Sequence, residues 1–243
     1  MLTVKTFEFN PVQENTYVLF DEKDACYIID PGCYFGNERT VLQEYIEQQG
    51  LSPRLLLNTH CHLDHVFGNK FVSETWDLPL HLHEKEVEVL GWAPDMGLRW
   101  GMPFENYRGE YVFLTPGRSI TLGDDELSIL FLPGHSPGSL GFYCAEQGFL
   151  IGGDVLFRES IGRTDLPGGD HATLLHSIRE QLWPLPDETI VAERLVHREV
   201  REEGDDRNEA GDGHVVALTD DLEDVLPAVP ALVEEPRDRK SVV

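Results

Sequence analysis

The sequence predicts an α/β chain with mixed sheets. Short apolar or alternating segments typical of strands interleave with amphipathic segments typical of helices, and no internal repeat is evident. The polar turn 21–24 separates two neighbouring strand-like segments, as in a hairpin. With 243 residues, of which 41% are hydrophobic, the chain is long enough for one core or two small ones.

In the first half of the chain, alternation and β-branched or aromatic residues predict strands, and a 3.6-residue period predicts helices. The expected strands are 2–9, 15–20, 25–30 and 54–58. The expected helices are 37–49, which stops before Gly50, and the shorter 69–76 and 84–90. Segment 92–107 is rich in Trp, Met, Phe, Gly and Pro, so we expect a loop-rich insertion there, either a local mini-core or a lid over a site.

In the second half, short apolar segments punctuated by Gly and Pro predict more strands. These expected strands are 120–122, 127–132, 140–144, 149–151 and one that begins at 189–191. A helix is expected over 172–182, with Asp170 as its N-cap, because a carboxylate there accepts a hydrogen bond from a free backbone N–H group of the first turn.

The charge of the chain excludes some partners. With 44 acidic and 19 basic residues, the formal net charge is −25, which argues against nucleic acid because phosphate binding needs a basic surface. No apolar run reaches the length of a membrane span, and no signal-peptide core follows Met1. The four cysteines have neither CxxC spacing nor a disulfide framework, so we expect reduced thiols and a cytoplasmic location.

The composition changes abruptly after residue 191. All 23 Phe, Tyr and Trp residues precede Ala192, and the remaining 52 residues contain 15 acidic and 7 basic ones. Such a segment buries little apolar surface, which predicts a domain over 1–191 followed by an acidic, disordered tail over 192–243. A second interpretation is that this tail is a sequencing or chimera artefact, because GATCGGAAGAGCGTCGTG, a common adapter sequence, encodes residues 238–243.

The strongest chemical signal is the segment 59–65, with the sequence THCHLDH. Three histidines and an aspartate follow a strand-like apolar segment within six residues, and a loop at a strand end can turn several of these side chains towards one point. Neutral imidazole and carboxylate are the groups that bind zinc and similar divalent ions. The alternative, a chance group of solvated histidines, is disfavoured by two further ligand-like segments downstream.

In each of these two segments, a residue of a type that binds metal ions follows a predicted strand. His135 lies in PGHSPG after strand 127–132, and Asp154 ends GGD after strand 149–151. Each segment alone is weak evidence, because a Gly-Asp turn is usually only a turn. Together with 59–65 they predict a metal site built from three strand ends.

HxHxDH, GHSPG and GGD, in this order, resemble the metallo-β-lactamase-fold hydrolases. The segment GGDVLFRESIGRTDLPGGD, over 152–170, resembles more narrowly the bacterial single-domain glyoxalase II-like (hydroxyacylglutathione hydrolase-like) proteins. The resemblance covers about 2–191 and implies a four-layer αββα sandwich with metals at one edge.

The resemblance also implies a ligand set for two divalent ions, zinc first, with iron or manganese as alternatives. His60, His62 and His135 would bind the first ion, Asp64 and His65 the second, and Asp154 would bridge the two.

The family has one more second-ion histidine, in a GHGP segment after the strand that begins here at 189–191. This sequence has AERLVHR there instead, so the last strand-helix portion of the fold is missing or altered and the second site is predicted to be incomplete. The nearby histidines, His197 and His214, lack the spacing.

By this resemblance the chain is expected to be a metallo-hydrolase that cleaves a small acyl thioester of the S-hydroxyacylglutathione type. A hydroxide held by the ions attacks the carbonyl, and Asp64 and Asp154 orient it. Cys61 lies between two ligands and is expected to be structural, because adjacent residues on an extended segment point apart. Two alternatives remain: a mononuclear-iron persulfide dioxygenase of the same fold, and a truncated, non-catalytic product.

Three other residues receive expectations. His81 and His83 bracket Leu82 before a helix, and we expect them to be solvated or to cap that helix rather than to bind metal. Arg163 is expected to orient carboxylates near the metals rather than to contact substrate.

Overall fold

The computed structural model describes residues 1–192 and 215–217, and within them two six-stranded sheets and one two-stranded sheet. The strands are β1 Thr3–Phe9, β2 Glu14–Phe20, β3 Ala25–Ile29, β4 Ser52–Leu57, β5 Leu80–Leu82, β6 Tyr111–Phe113, β7 Ser119–Leu122, β8 Asp125–Phe131, β9 Leu140–Cys144, β10 Phe149–Ile151, β11 Leu156–Phe157, β12 Ser160–Ile161, β13 Ile190–Ala192 and β14 Val215–Ala217. The helices are α1 Gly36–Gln48, α2 Leu63–Val66, α3 Asn69–Trp76, α4 Glu86–Arg99 and α5 His171–Ser177, which continues as a π-helix over Ile178–Leu182.

Both large sheets are mixed, as the sequence predicts. The first has the order β1-β2-β3-β4-β5-β6, antiparallel from β1 to β3 and parallel from β3 to β6. The second has the order β14-β13-β10-β9-β8-β7, in which only β10 and β13 run parallel. The parallel steps fall where a helix connects the strands, because a parallel neighbour needs a crossover connection.

The alternation along β2 shows how the layers are arranged. Tyr17 and Leu19 point to one face, where they join the core that also contains Phe142 of the second sheet. Val18 points to the opposite face and packs in a separate core with Leu42 of α1. The first sheet is therefore buried on both faces, between the second sheet and the helices α1, α3 and α4.

A third core covers the outer face of the second sheet. Leu132 and Leu150 pack there with Leu174 of α5 and with Ile178 and Leu182 of the π-helix. The order of layers is helices, sheet, sheet, helices, which is the αββα sandwich that the sequence predicts. The predicted N-cap is also present, since the Asp170 carboxylate accepts a hydrogen bond from Thr173 N at 2.7 Å.

The loop-rich insertion expected over 92–107 is wrong in its first half. Residues 92–99 belong to α4, which runs without interruption from Glu86 to Arg99 in spite of Gly91, Pro94 and Gly97. Proline inside a helix removes the N–H group that would bond to the carbonyl four residues earlier. Here that carbonyl belongs to Leu90, and the Asn106 side chain donates a hydrogen bond to it at 2.7 Å. A tertiary contact therefore replaces the helical one.

The region before α4 also differs from the sequence expectation. His81 lies on β5, a strand that the sequence reading did not include, and both His81 and His83 are 8% exposed rather than solvated. His81 Nδ1 contacts the carbonyl oxygens of Leu56 and Pro79, each at 3.1 Å. His83 Nδ1 accepts a hydrogen bond from Lys85 N at 3.3 Å, but Lys85 is itself the N-cap of α4 and no side-chain hydrogen bond caps that helix, so the expected capping role is wrong as well.

Most of the acidic tail lies outside the described residues, so the two interpretations of 192–243 stay predictions. Ala192 completes β13, and β14 pairs with β13 in antiparallel register. None of the helices in the described part of the chain has the length and apolar character that a membrane span requires.

We predict that Asn106→Asp lowers the free energy of unfolding by about 1–3 kcal/mol, because the buried carbonyl of Leu90 then loses its hydrogen-bond donor while the acceptor for Tyr107 N is kept. Urea unfolding of the variant measures the change. Asn37→Asp, an exposed position on α1, is the matched control and should change stability by about 0.5 kcal/mol or less. Equal effects of the two substitutions would contradict this explanation for the continuity of α4.

Candidate metal centre

All six side chains that the sequence predicts as metal ligands meet at one edge of the sandwich. The segments that carry them follow β4 of the first sheet and β8 and β10 of the second, and α2 adds one turn of helix after β4. Their ligand atoms form two adjoining groups, each with all atoms within 4.8 Å of one another. The first group is His60, His62 and His135, and the second is Asp64, His65 and Asp154.

The first group consists of three imidazoles whose nitrogens converge. His62 Nδ1 lies 2.8 Å from His135 Nε2, which in turn lies 3.2 Å from His60 Nε2. His60 and His135 are 1% and 3% exposed, so water screens these contacts little.

Neighbouring groups fix which nitrogen carries the proton in two of these rings. His135 Nδ1 lies 2.8 Å from the carbonyl oxygen of Arg163 and must donate to it. Thr59 Oγ1 donates its own hydrogen to Asp30, so it accepts from His60 Nδ1 at 3.1 Å. The Nε2 atoms of His60 and His135 therefore present lone pairs to each other.

The electrostatics keep these rings neutral. Burial lowers the pKa of His60 well below its usual range, and the neighbouring imidazoles lower it further. Burial and His135 lower the pKa of His62 to about 3, and burial also lowers the pKa of His135. Neutral imidazole is the form that binds a metal ion.

The second group places two carboxylates around one imidazole. His65 Nε2 lies 3.3 Å from Asp154 Oδ1 and 3.8 Å from Asp64 Oδ2. The other oxygen of Asp154, Oδ2, lies 3.8 Å from His135 Nε2 of the first group. Asp154 thus stands between the two groups, where the sequence expectation puts a bridging ligand.

His65 has the opposite electrostatic character to the other three histidines. Burial alone would lower the pKa of His65, but the carboxylates of Asp154 and Asp64 outweigh it and raise the pKa well above its usual range. Its Nδ1 lies 3.1 Å from Asp30 Oδ2, and its buried Nε2 has no hydrogen-bond partner of good geometry. The pocket around Nε2 therefore favours a positive charge, either a proton or a cation.

The donor set fits divalent metal ions. Two lone pairs face each other across 3.2 Å in the first group, and carboxylate oxygens face an imidazole nitrogen in the second. The contact between the two neutral imidazoles is repulsive and becomes attractive around a cation, and the carboxylates of the second group supply negative charge that a cation balances. Three imidazoles, and one imidazole with two carboxylates, are combinations that suit zinc, iron or manganese.

Asp30 orients a histidine in each of the two groups, and we did not expect this role from the sequence. This carboxylate is fully buried and accepts hydrogen bonds from Asn58 Nδ2, Thr59 N, Thr59 Oγ1 and His65 Nδ1. Asp30, His60 and His65 also lie close enough to resemble a third ligand group. Because Asp30 faces the Nδ1 edge of His65 and is saturated with donors, we assign it to positioning rather than to metal binding.

Glu86 is a second buried carboxylate that sequence reasoning missed. It begins α4 and joins the two histidine segments: Oε2 accepts from Cys61 N at 2.7 Å, and Oε1 accepts from Ser136 Oγ and Gly138 N, both at 2.7 Å. Burial raises the pKa of Glu86, and these three donors counteract the shift. The only sequence signal was an acidic residue at a helix start, which is usual for exposed residues too.

One glycine of the predicted GGD segment is required by the site. Gly153 has φ +56°, and a Cβ atom there would lie 2.4 Å from Thr59 Oγ1. Any other residue would push away the hydroxyl that orients His60, so glycine at this position follows from close approach and backbone conformation together.

A groove of about 470 Å³ opens over the two groups. Four predicted ligands form part of its lining: His62, Asp64, His135 and Asp154. The opposite wall comes largely from α4 and its C-cap, through residues such as Trp92, Met96 and the C-cap Trp100. A lid formed by a loop over 92–107 is one of the two expectations from the sequence. In the structure, the groove wall in this segment is formed largely by helix α4.

The remaining sequence expectations have mixed outcomes. Arg163 lines the groove, but its guanidinium pairs with the exposed Asp165 at 2.7 Å, and its carbonyl rather than its side chain orients His135. Cys61 is fully buried, as a structural residue should be. His197 and His214 lie outside the described residues, so a further ligand for the second group stays a prediction.

Comparisons with known proteins agree on the family. The model of the metallo-beta-lactamase superfamily matches residues 9–193. The probable metallo-hydrolase YqgX of Bacillus subtilis is 42% identical over 74% of this chain and 84% of its own. The hydroxyacylglutathione hydrolase GloC of Haemophilus influenzae is 35% identical over 78% and 89%. The crystal structure of the BLEG-1 B3 metallo-beta-lactamase superposes with a TM-score of 0.71 at 38% identity, covering 78% and 90% of the two chains.

We predict that Glu86→Gln destabilises the chain by about 1–3 kcal/mol. An amide cannot accept all three hydrogen bonds, because its NH₂ group must face either Cys61 N or the donors of the 136–138 segment. Urea unfolding and metal retention during dialysis measure the two consequences. Glu84→Gln, an exposed position two residues earlier, is the control and should change neither. A variant as stable and as metal-retentive as this control would refute the role assigned to Glu86.

Proposed function

Because this chain belongs to the metallo-beta-lactamase superfamily, we propose that it is a metal-dependent hydrolase that cleaves a small acyl thioester. The observation that carries the proposal is the pair of adjoining donor groups, with Asp154 between them, under an open groove. The thioester is favoured because GloC, 35% identical over most of both chains, is a hydroxyacylglutathione hydrolase.

In this proposal His60, His62 and His135 hold one divalent ion, and Asp64, His65 and Asp154 hold or share a second. Zinc is the first candidate, and the same donors accommodate iron or manganese. When bound, such ions lower the pKa of water and polarise a carbonyl oxygen. The second position lacks a further ligand among the described residues, so it is the weaker of the two.

The residues of the chain then have distinct tasks. Asp64 and Asp154 are the catalytic residues: their carboxylates border the groove and accept hydrogen bonds from the attacking water, which aims its oxygen at the thioester carbonyl. That oxygen forms a bond to the carbonyl carbon, the C–S bond breaks, and the departing sulfur receives a proton derived from the water. Asp30 and Glu86 hold the histidine segments in register and do not contact the substrate.

No side-chain nucleophile is assigned in this reaction. Cys61 lies beside the site, but it is fully buried and burial raises the pKa of its thiol well above its usual range. Its backbone N–H donates to Glu86. A thiol that stays protonated and shielded is a poor nucleophile, so Cys61 serves packing.

The test is metal analysis of the purified full chain together with thiol release from S-lactoylglutathione and from a small acetyl thioester. The proposal expects at least one bound divalent ion per chain and thiol release that a chelator abolishes, with a slower reaction on a β-lactam. One iron per chain, with oxygen uptake on a persulfide and no thiol release, would favour the dioxygenase alternative instead. No bound metal and no thermal shift on adding zinc would favour a non-catalytic product.

We predict that Asp154→Asn lowers the rate constant for thioester hydrolysis by about 10²-fold or more, because it removes a carboxylate that serves both groups. Steady-state thiol release measures the rate, and metal analysis reports whether the second ion is lost. Asp77→Asn, at the exposed left-handed C-cap of α3, is the control and should retain full activity. Retention of activity by Asp154→Asn would contradict the shared position of Asp154.

A further inference from the structure

The groove over the donor groups has one apolar wall that the hydrolytic reaction by itself does not explain. Trp92 and Met96 of α4 and Trp100, the C-cap of this helix, lie four residues apart, so they follow one stripe and span about 12 Å. Trp92 and Trp100 are 38% and 47% exposed. Neither indole makes a ring contact with another aromatic side chain in the described part of the chain.

Large apolar side chains that stay exposed to solvent beside a reactive centre indicate a binding surface. Most tryptophans bury much of their area, and a contiguous exposed apolar patch at a site usually contacts a ligand. Across the groove Val12 and Leu166 add apolar surface. The groove therefore offers apolar surface on both sides to a hydrocarbon group of the substrate.

The same wall carries a cation. Arg99, in the last turn of α4, lines the groove and is exposed. Arg163, the other basic residue of the lining, is neutralised by its two-pronged pair with Asp165. Arg99 has no hydrogen bond or ion pair within residues 1–192.

An arginine without a partner in the described part of the chain is notable at this place because the chain has a formal net charge of −25. The general field repels anions, so an anionic substrate needs a local cation to enter the groove. Asp95, one helical turn before Arg99, also borders the groove and opposes this attraction. An arginine guanidinium matches a carboxylate in shape and charge.

We propose that this groove selects thioesters that combine an apolar group with a carboxylate, the apolar group lying on Trp92 and Trp100 and the carboxylate pairing with Arg99. The inference rests on the proposed hydrolase function and names its substrate class. Trp92, Trp100 and Arg99 are then specificity-determining residues, separate from the residues that position the reacting carbonyl.

Binding without turnover is the first test, because two of the four tryptophans line the groove and report a quenching ligand. Tryptophan fluorescence is titrated with 4-nitrophenylacetate, which has a ring and a carboxylate, and with neutral 4-nitrophenylethanol. The chain should bind the anion about tenfold more tightly, Arg99→Gln should abolish this difference, and Asp95→Asn should widen it. Arg118→Gln removes one exposed cation that does not line the groove and should leave the difference unchanged.

Turnover is the second test and identifies the side of the substrate that carries the carboxylate. Three thioesters are compared: phenylacetyl-S-mercaptoethanol, its 3-mercaptopropionate analogue, and the 4-carboxyphenylacetyl ester of mercaptoethanol. One of the two anionic esters should have a kcat/KM about tenfold above that of the neutral one, and Arg99→Gln should remove this preference.

The outcomes separate the two proposals. Cleavage of all three esters at equal rates, or equal loss of preference in Arg99→Gln and Arg118→Gln, overturns the inference and leaves the hydrolase function intact. Cleavage of none of the three esters by a metal-loaded chain that does cleave S-lactoylglutathione also overturns the inference. If the metal-loaded chain releases thiol from neither S-lactoylglutathione nor these esters, the hydrolase function is overturned, while the fluorescence titration still decides whether Arg99 recognises a carboxylate.

Discussion

The site depends on the buried carboxylate of Asp30. It lies at the end of β3 with φ +49°, a conformation that is uncommon for a residue with a side chain, and receives four hydrogen bonds from the segment after β4. Through Thr59 it fixes the proton on His60, and directly it fixes the proton on His65. One residue thus aims the metal-facing nitrogen of a histidine in each donor group.

A buried carboxylate is costly unless donors surround it, and the fold meets this requirement twice. Asp30 ties β3 to the segment after β4 within the first sheet, whereas Glu86 ties that segment to the loop after β8 of the second sheet. The sheets pack mainly through apolar side chains, with a few hydrogen bonds between them, such as the one from Tyr27 Oη to the carbonyl oxygen of Thr121 at 2.7 Å. The Glu86 carboxylate and the hydrogen bond from Leu140 N to the carbonyl oxygen of Thr59 at 2.8 Å therefore both fix the relative placement of His60 and His135.

The mixed α/β elements and the donor residues leave local signals in the sequence, whereas the order of the four layers followed from the resemblance to the metallo-β-lactamase-fold hydrolases. Strand alternation and the close spacing of His60, His62 and His65 can be read within a few residues. The continuity of α4 and the burial of Glu86 could not be read in this way. Asn106 compensates for Pro94 from outside the helix, and the donors to Glu86 come from positions 25 to 52 residues away. Tertiary partners at such separation decide whether a proline breaks a helix and whether an acid is buried.

Because α4 is continuous, one helix carries both the residue that positions the metal donors and the residues proposed to select the substrate. Glu86 at the first turn of this helix holds the histidine segments, while Trp92, Met96 and Arg99 along the same helix line the groove. A break at Pro94 would disconnect these two functions. The Asn106 contact to Leu90 preserves the helix at that point, so the loop after α4 stabilises the element that relates the groove to the donors. The residues that choose the substrate are in this way held in register with those that act on it.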